Sequence, residues 1–268
     1  MINEELNNKL REKFNPDGSN LRTIQLNILE TFKVVDAICR RNNIPYWLGS
    51  GSLLGAVRHK GFIPWDDDLD IEILRKDRKR FIEACNRELP KNLHVQCHET
   101  EPDYYLDILK VRDDTTDIGE KINLGELGQF DVKYKYKGYF VDVFCEEHCV
   151  PLFMKISNKF LYIILKERYV NKRGRLFCGF LYLIMNTLNV LFRLFGGWIA
   201  CKDYLYHGYS SSFFSRRKYE YIFPNQTLVF EGVDAMTPHN ADGYLTDMFG
   251  NYMELPKEAL RSSHHSNV

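Results

Sequence analysis

The chain has 268 residues, and its 36 Lys and Arg balance 36 Asp and Glu to a formal net charge of zero. That length buries a substantial core, as one elaborated domain or one domain with an appendage. The charge balance argues against a general nucleic-acid binder, and seven scattered cysteines argue for reduced thiols in a cytoplasmic protein rather than a disulfide framework.

The chain begins Met1-Ile2-Asn3-Glu4-Glu5 with no apolar signal core, so no secretion is expected. Residues 21–42 predict an amphipathic helix, with Leu21, Ile24, Ile28, Val35 and Ile38 near a helical period. Asn42-Asn43 stops it, and Pro45 starts an extended piece. Tyr46-Trp47-Leu48 predicts a short strand running into the turn Gly49-Ser50-Gly51-Ser52. A helix over 52–58, capped by Ser50 or Ser52, ends at His59-Lys60-Gly61. A strand over 68–74 and an amphipathic helix over 77–89 follow, giving the β-α-β-α opening of a mixed α/β sheet. Residues 93–97, 105–112 and 139–144 predict further strands.

The acids in this pattern carry the chemistry. Asp68 and Asp70 are two apart, so on a strand they share a face while Leu69 and Ile71 turn to a core. Two carboxylates held that close repel unless a cation lies between them, and a hard cation such as magnesium suits all-oxygen ligands. Manganese is the alternative. Asp66 has the same parity and is a candidate neighbour of the metal, whereas Asp67 is read as a turn cap. On the later strand Phe140, Asp142 and Phe144 share a face. Asp142 is either a rim or capping carboxylate or a third metal ligand facing Asp68 and Asp70. A Gly/Ser turn beside such a site presents backbone N–H groups to phosphate oxygens, as phosphoryl or nucleotidyl transfer requires.

Past residue 151 the composition turns apolar, with helices predicted over 153–170 and 176–195. The second carries no charge between Arg175 and Arg193, just short of a comfortable membrane span. Arg175, Gly179, Tyr182, Asn186, Asn189 and Arg193 form one narrow polar stripe on it. Three readings stand: an interfacial helix, a helix buried in protein, and a true span. Basic residues beside it favour anionic lipid or a lipid pyrophosphate. Residues 219–223 and 227–230 predict strands joined by Pro224-Asn225-Gln226, and 241–249 a helix. The tail Ser262-Ser263-His264-His265-Ser266 reads as a natural end rather than a tag. The expected organisation is a catalytic core over 1–150, an apolar helical region over 151–215 facing membrane or acceptor, and a C-terminal part over 216–268 packing back on the core.

The stretch from Tyr46-Trp47-Leu48-Gly49-Ser50-Gly51-Ser52 through Ile63-Pro64-Trp65-Asp66-Asp67-Asp68-Leu69-Asp70-Ile71 resembles the hallmark of the LicD family, phosphotransferases with a nucleotidyltransferase-type fold related to fukutin and fukutin-related protein. Lys110-Val111-Arg112-Asp113, Gly138-Tyr139-Phe140-Val141-Asp142-Val143-Phe144 and Tyr252-Met253-Glu254-Leu255-Pro256 extend the resemblance over most of the chain. One departure is Cys145, where the family commonly has proline. The resemblance implies an α/β (α+β) fold with a nucleotidyltransferase-like mixed sheet and an inserted or appended apolar helical region. It implies transfer of a phospho-alcohol, such as phosphocholine, from a CDP-alcohol donor to a sugar hydroxyl of a cell-surface glycan or its lipid-linked precursor. CMP is the leaving group, and no nucleic acid takes part. Asp142 then completes the metal site or accepts the acceptor's proton. Arg58 and Lys110 or Arg112 hold phosphate oxygens. A peripheral position at the inner face of a membrane is expected.

Several residues have a plainer reading beside the functional one. Trp65 is a packing residue or a platform for a base or a quaternary ammonium. His59 contacts phosphate or serves as a hydrogen-bonded structural histidine. Cys145, His148 and Cys149 have loose spacing for zinc. Arg216-Arg217-Lys218 reads as a solvated face or as a contact for an anionic acceptor. The rivals to a phospho-alcohol transferase are a nucleotidyltransferase acting on a small molecule or protein, and a non-catalytic membrane-associated scaffold.

Overall fold

A computed structural model describes residues 3–261, so the readings of Met1-Ile2 and of the tail Ser262 to Ser266 lie outside the described residues. Helices α1 (Glu4–Phe14) and α2 (Asn20–Arg41) lead into strand β1 (Tyr46–Leu48), helix α3 (Ser50–His59), strand β2 (Asp70–Leu74) and helix α4 (Arg78–Glu88). Strands β3 (Leu93–Gln96), β4 (Leu109–Asp113), β5 (Lys121–Asn123), β6 (Gln129–Asp131) and β7 (Phe140–Glu146) come next. The long helices α5 (Pro151–Leu165) and α6 (Arg175–Ile199) separate them from β8 (Tyr204–Tyr206), β9 (Arg216–Lys218), the short α7 (Tyr219–Ile222), β10 (Gln226–Phe230), β11 (Val233–Thr237) and α8 (Ala241–Phe249).

The central sheet has the order β1-β2-β7-β4-β3, and it is mixed. Strands β2 and β7 run parallel, while the other three pairings are antiparallel. Strand alternation sorts the side chains into two faces. Ile71, Ile73, Leu109, Val111, Val141 and Val143 are fully buried on one, in the same core cluster as Phe32, Val35 and Ile38 of α2 and Phe81 and Ala84 of α4. Each large side chain so buried contributes about 2–3 kcal/mol. The other face carries Asp70, Glu72, Asp142 and Lys110. Ile222, Phe230, Ala235, Tyr244 and Leu245 belong to the main core cluster, so C-terminal elements complete it. Helices α5 and α6 build a smaller cluster of Leu161, Ile164, Cys178 and Met185 with Tyr105 and Leu124.

Four local expectations are corrected. Strand β2 begins at Asp70 rather than Asp68, because the ladder with β7 starts at the Asp70–Asp142 pair and the ladder with β1 starts at Ile71. Neither Ser50 nor Ser52 caps α3. Its cap is Gly49, without a side-chain bond, and the Ser52 hydroxyl accepts from the Asp70 N–H instead (2.8 Å). Strand β4 starts at Leu109, since the backbone N–H of Asp107 turns away to the carbonyl of Ser210. Residues 219–222 are helical rather than extended, and β10 pairs with β11. Helix α1 gave no signal beyond Asn3, whose side chain caps it through the Leu6 N–H. Its composition is too polar to show an apolar period, and Leu10 alone is buried. All seven cysteines are free thiols.

Candidate active site

The sheet register assembles the site. Asp70 on β2 is the partner of Asp142 on β7, which is the partner of Lys110 on β4. Directly opposed residues share a face, so the three side chains form a row across neighbouring strands. The Asp142 N–H donates to the Leu69 carbonyl at 2.9 Å and fastens β7 to the acidic run.

Electrostatics show which acids converge. Burial pushes the Asp70 carboxyl well above the usual carboxylate range, and Asp68, Asp142, Asp66 and Glu72 push it further. Asp66 is raised by burial, then by Asp68 and Asp67. Asp66, Asp68, Asp70 and Asp142 therefore share one negative field. Asp67 is buried, at 2% exposure. The Lys110 ammonium lies 2.9 Å from Asp142 Oδ1 and 3.6 Å from Glu120, over the ring of Phe140. The donor set is all carboxylate oxygen, which fits a hard divalent cation such as magnesium. The fully buried Tyr104 hydroxyl has no hydrogen-bond partner among the described residues, and burial and then Asp142 push its pKa up.

The turn comes close to these acids because its residues are small. The Gly49 N–H donates to the Asp70 carbonyl at 3.1 Å. A Cβ on Gly49 would lie 2.7 Å from Glu72 Oε1, and one on Gly51 would lie 3.2 Å from Asp66 Oδ2. Ser50 adopts φ +44°, a left-handed state that costs a non-glycine residue of order 1 kcal/mol and recurs at functional sites. The Ser50 N–H donates to Tyr244 Oη at 3.2 Å. The N–H groups of Gly51 and Ser52 lie in the first turn of α3, where no intrahelical acceptor exists. The cap offers them no side chain. They form a donor pair for an anion beside the acids.

Four other expected site residues are held by protein partners. Arg58 is buried and donates to His59 Nε2 at 2.9 Å and to the Tyr252 carbonyl at 2.9 Å. His59 lies 2.7 Å from Asn7 Oδ1 through Nδ1. Because Arg58 only donates, His59 Nε2 accepts and Nδ1 carries the proton. Burial, then Arg58 and Arg11, hold His59 down at about 3. Trp65 packs edge-on against Phe14 and His59. Arg112, fully buried, donates to Gln96, the Gly138 carbonyl and Glu120.

Beneath the turn lies a network that the sequence did not announce. Glu72 accepts from Trp47 Nε1 (2.5 Å), Tyr244 Oη (2.8 Å) and Arg217 Nε (2.9 Å). Arg217 also donates to His207 Nε2 (2.8 Å) and Ser50 Oγ (3.4 Å). His207 Nδ1 pairs with Glu146. Arg217 is 2% exposed, which corrects the solvated reading of Arg216-Arg217-Lys218 at its middle residue, while Arg216 is exposed. Glu72, Glu146 and His207 offer ligand atoms within 4.8 Å of one another. However, the Arg217 guanidinium already sits 2.7 Å from Glu72 and supplies the counter-charge. The available signal was Glu72 itself, an acid two residues past Asp70 in an apolar strand.

The zinc reading finds no cluster: Cys145 is in the main core, Cys149 packs with Met154 and Tyr209, and His148 Nδ1 is 2.8 Å from the Tyr204 carbonyl. The polar stripe on α6 splits. Asn189 and Arg193 turn inward, to Ser157 and Ser210 and to Glu147 respectively, while Arg175 and Asn186 face out.

Residues 43–124 match the family model described as LicD/FKTN/FKRP, nucleotidyltransferase domain. Over 264 residues the chain is 29% identical to the lipopolysaccharide cholinephosphotransferase LicD of Haemophilus influenzae, covering 90% of this chain and 92% of that protein. Over 48 residues it is 46% identical to the human ribitol 5-phosphate transferase FKRP, covering 18% of this chain and 10% of that protein. Over 52 residues it is 52% identical to the uncharacterized protein RP689 of Rickettsia prowazekii, covering 19% and 20%.

Proposed function

We infer, for a chain that carries the LicD/FKTN/FKRP nucleotidyltransferase domain, that it is a metal-dependent phosphotransferase moving a phospho-alcohol from a CDP-alcohol to a sugar hydroxyl of a lipopolysaccharide-type glycan or its lipid-linked precursor. The observation that carries this reading is the row Asp70, Asp142 and Lys110 across adjacent strands, beside the open N-terminal turn of α3. Two relatives are named for moving phospho-alcohols, choline phosphate and ribitol 5-phosphate.

Asp68 and Asp70, with Asp66 alongside, would hold magnesium. When bound, the ion supplies neutralisation of charge on the donor pyrophosphate. The Gly51 and Ser52 N–H groups receive phosphate oxygens, and Lys110 steadies the phosphoryl group from the opposite end of the row. The acceptor hydroxyl oxygen bonds to the phosphorus bearing the alcohol. The bond from that phosphorus to the bridging oxygen breaks, and CMP leaves with the electron pair. Asp142, oriented by Lys110, takes the hydroxyl proton. Arg58, His59, Trp65 and Arg112 hold the walls of the site through their protein partners.

Incubation with CDP-choline or CDP-ribitol, magnesium and a lipopolysaccharide acceptor tests this. Release of CMP with the alcohol phosphate on the glycan supports it. Release of pyrophosphate from a nucleoside triphosphate, with the nucleotide left on the acceptor, overturns it in favour of a nucleotidyltransferase.

A further inference from the structure

Helix α6 is built inside out. Its polar residues Asn189 and Arg193 face the protein body, while Leu176, Leu183, Leu194 and Trp198 stand on the outer side at 93, 61, 62 and 91% exposure. Their spacing follows the helical period, so they form one continuous stripe. Only 17% of the helix's most apolar 18-residue stretch is buried. On α5, Leu152, Ile156 and Ile163 are also exposed. A contiguous apolar patch of this kind on a monomer marks a surface that something covers.

The charge around the patch identifies the cover. Residues 151–215 contain nine Lys and Arg and two Asp and Glu, in a chain whose net charge is zero. Arg193 and Arg168 are turned to Glu147 and Asp103. Lys155 and Lys159 are exposed and share the outer face of α5 with Leu152 and Ile156. Lys172 and Arg175 are exposed where α6 begins, and Arg173 lies 5.9 Å from the ring of Phe177. An apolar stripe bordered by cations and ended by an exposed tryptophan complements an anionic lipid surface. A second copy of the chain would bring the same cations against themselves.

We propose that α5 and α6 form an interfacial docking surface for anionic lipid, with α6 lying in the membrane plane. A spanning orientation would break the inner-side bonds of Asn189 to Ser157 and Ser210 and the pairing of Arg193 with Glu147. The proposal stands apart from the transfer reaction, and its test uses no substrate.

The full chain is floated with phosphatidylcholine vesicles and with vesicles in which roughly a third of the lipid is phosphatidylglycerol, which gives the surface a negative potential. The expected result is binding about tenfold tighter to the anionic vesicles, with Trp198 quenched by brominated lipid chains while the buried Trp47 and Trp65 are spared. Leu183→Asp with Leu194→Asp abolishes binding. Lys155→Glu with Lys159→Glu removes no buried contact and weakens it about tenfold, so the outcome does not hang on the aspartate variants folding well. Protein left unbound with both vesicle types, or charge-reversed protein binding like the wild type, overturns the proposal. So does a dimer without vesicles that Leu194→Asp converts to monomer, since a second copy is then the cover.

Discussion

Asp70 on β2 and Asp142 on β7 are register partners on adjacent parallel strands. Parallel neighbours lie about 4.8 Å apart, so two acids 72 positions apart in sequence meet on one face. With Asp68 and Asp66 they make a field that favours protonation or a cation.

Removing one of those charges has opposite effects on the two states of the site. Asp70→Asn relieves like-charge repulsion and raises the melting temperature in EDTA by about 2–4 °C, as about 1 kcal/mol does in a chain this size. The same substitution abolishes the stabilisation given by magnesium. Melting curves with and without magnesium check both. An unchanged magnesium shift in the variant contradicts the ligand assignment.

The Glu72–Arg217 pair ties the turn to the C-terminal elements. Arg217→Met strands the fully buried Glu72 and costs about 3–5 kcal/mol. Replacing both by Glu72→Leu with Arg217→Met costs less than the sum of the single changes. Denaturant titrations of the four proteins give the coupling, expected at about 2 kcal/mol. Additivity within about 0.5 kcal/mol contradicts it.

Gly49 is fixed by a close approach rather than by backbone freedom. Gly49→Ala sets a methyl 2.7 Å from Glu72 Oε1. The strain costs about 1–3 kcal/mol, and the shifted turn raises KM for the donor more than it lowers kcat. Steady-state kinetics read the split, and an unchanged KM contradicts the placement of the donor phosphates at this turn.

His59 contributes an acid-side pH dependence. Its folded pKa of about 3 lies below the ordinary histidine value, so the unfolded chain takes the proton first. Stability from this group is fully present above about pH 6.5 and is lost as pH falls toward 3, by about 2 kcal/mol already at pH 5. His59→Gln keeps a polar side chain and removes this contribution. The expected outcome is a shallower fall in melting temperature between pH 7 and 5 for the variant, measured against wild type. Parallel curves contradict it.

Much of the sheet was legible because alternation and turn residues are local. Tyr46-Trp47-Leu48, the acidic strand apart from its start, and the strand predicted over 139–144 follow from spacing alone. Strand parity also put Asp70 on a face opposite Ile71. What sequence did not carry was register. Nothing local says that Lys110 lands beside Asp142, or that Arg217 reaches Glu72 across 145 positions. The misread segment 219–222 shows the same limit: aromatic and β-branched residues favour strands, yet Ile222 is buried from a short helix. Helix α6 was legible as apolar, but only packing shows that Asn189 and Arg193 point inward while Arg175 and Asn186 face out.

The central claim is that the acidic row and the turn perform phospho-alcohol transfer with a divalent cation. The most direct measurement is CMP formation from CDP-choline and lipopolysaccharide, by wild type and by Asp70→Asn and Asp142→Asn proteins of verified fold, across a magnesium titration. The account predicts CMP that requires magnesium, disappears in EDTA, and falls by at least about a hundredfold in each variant. CMP formed at the wild-type rate by either variant, or undiminished without a divalent ion, would contradict it.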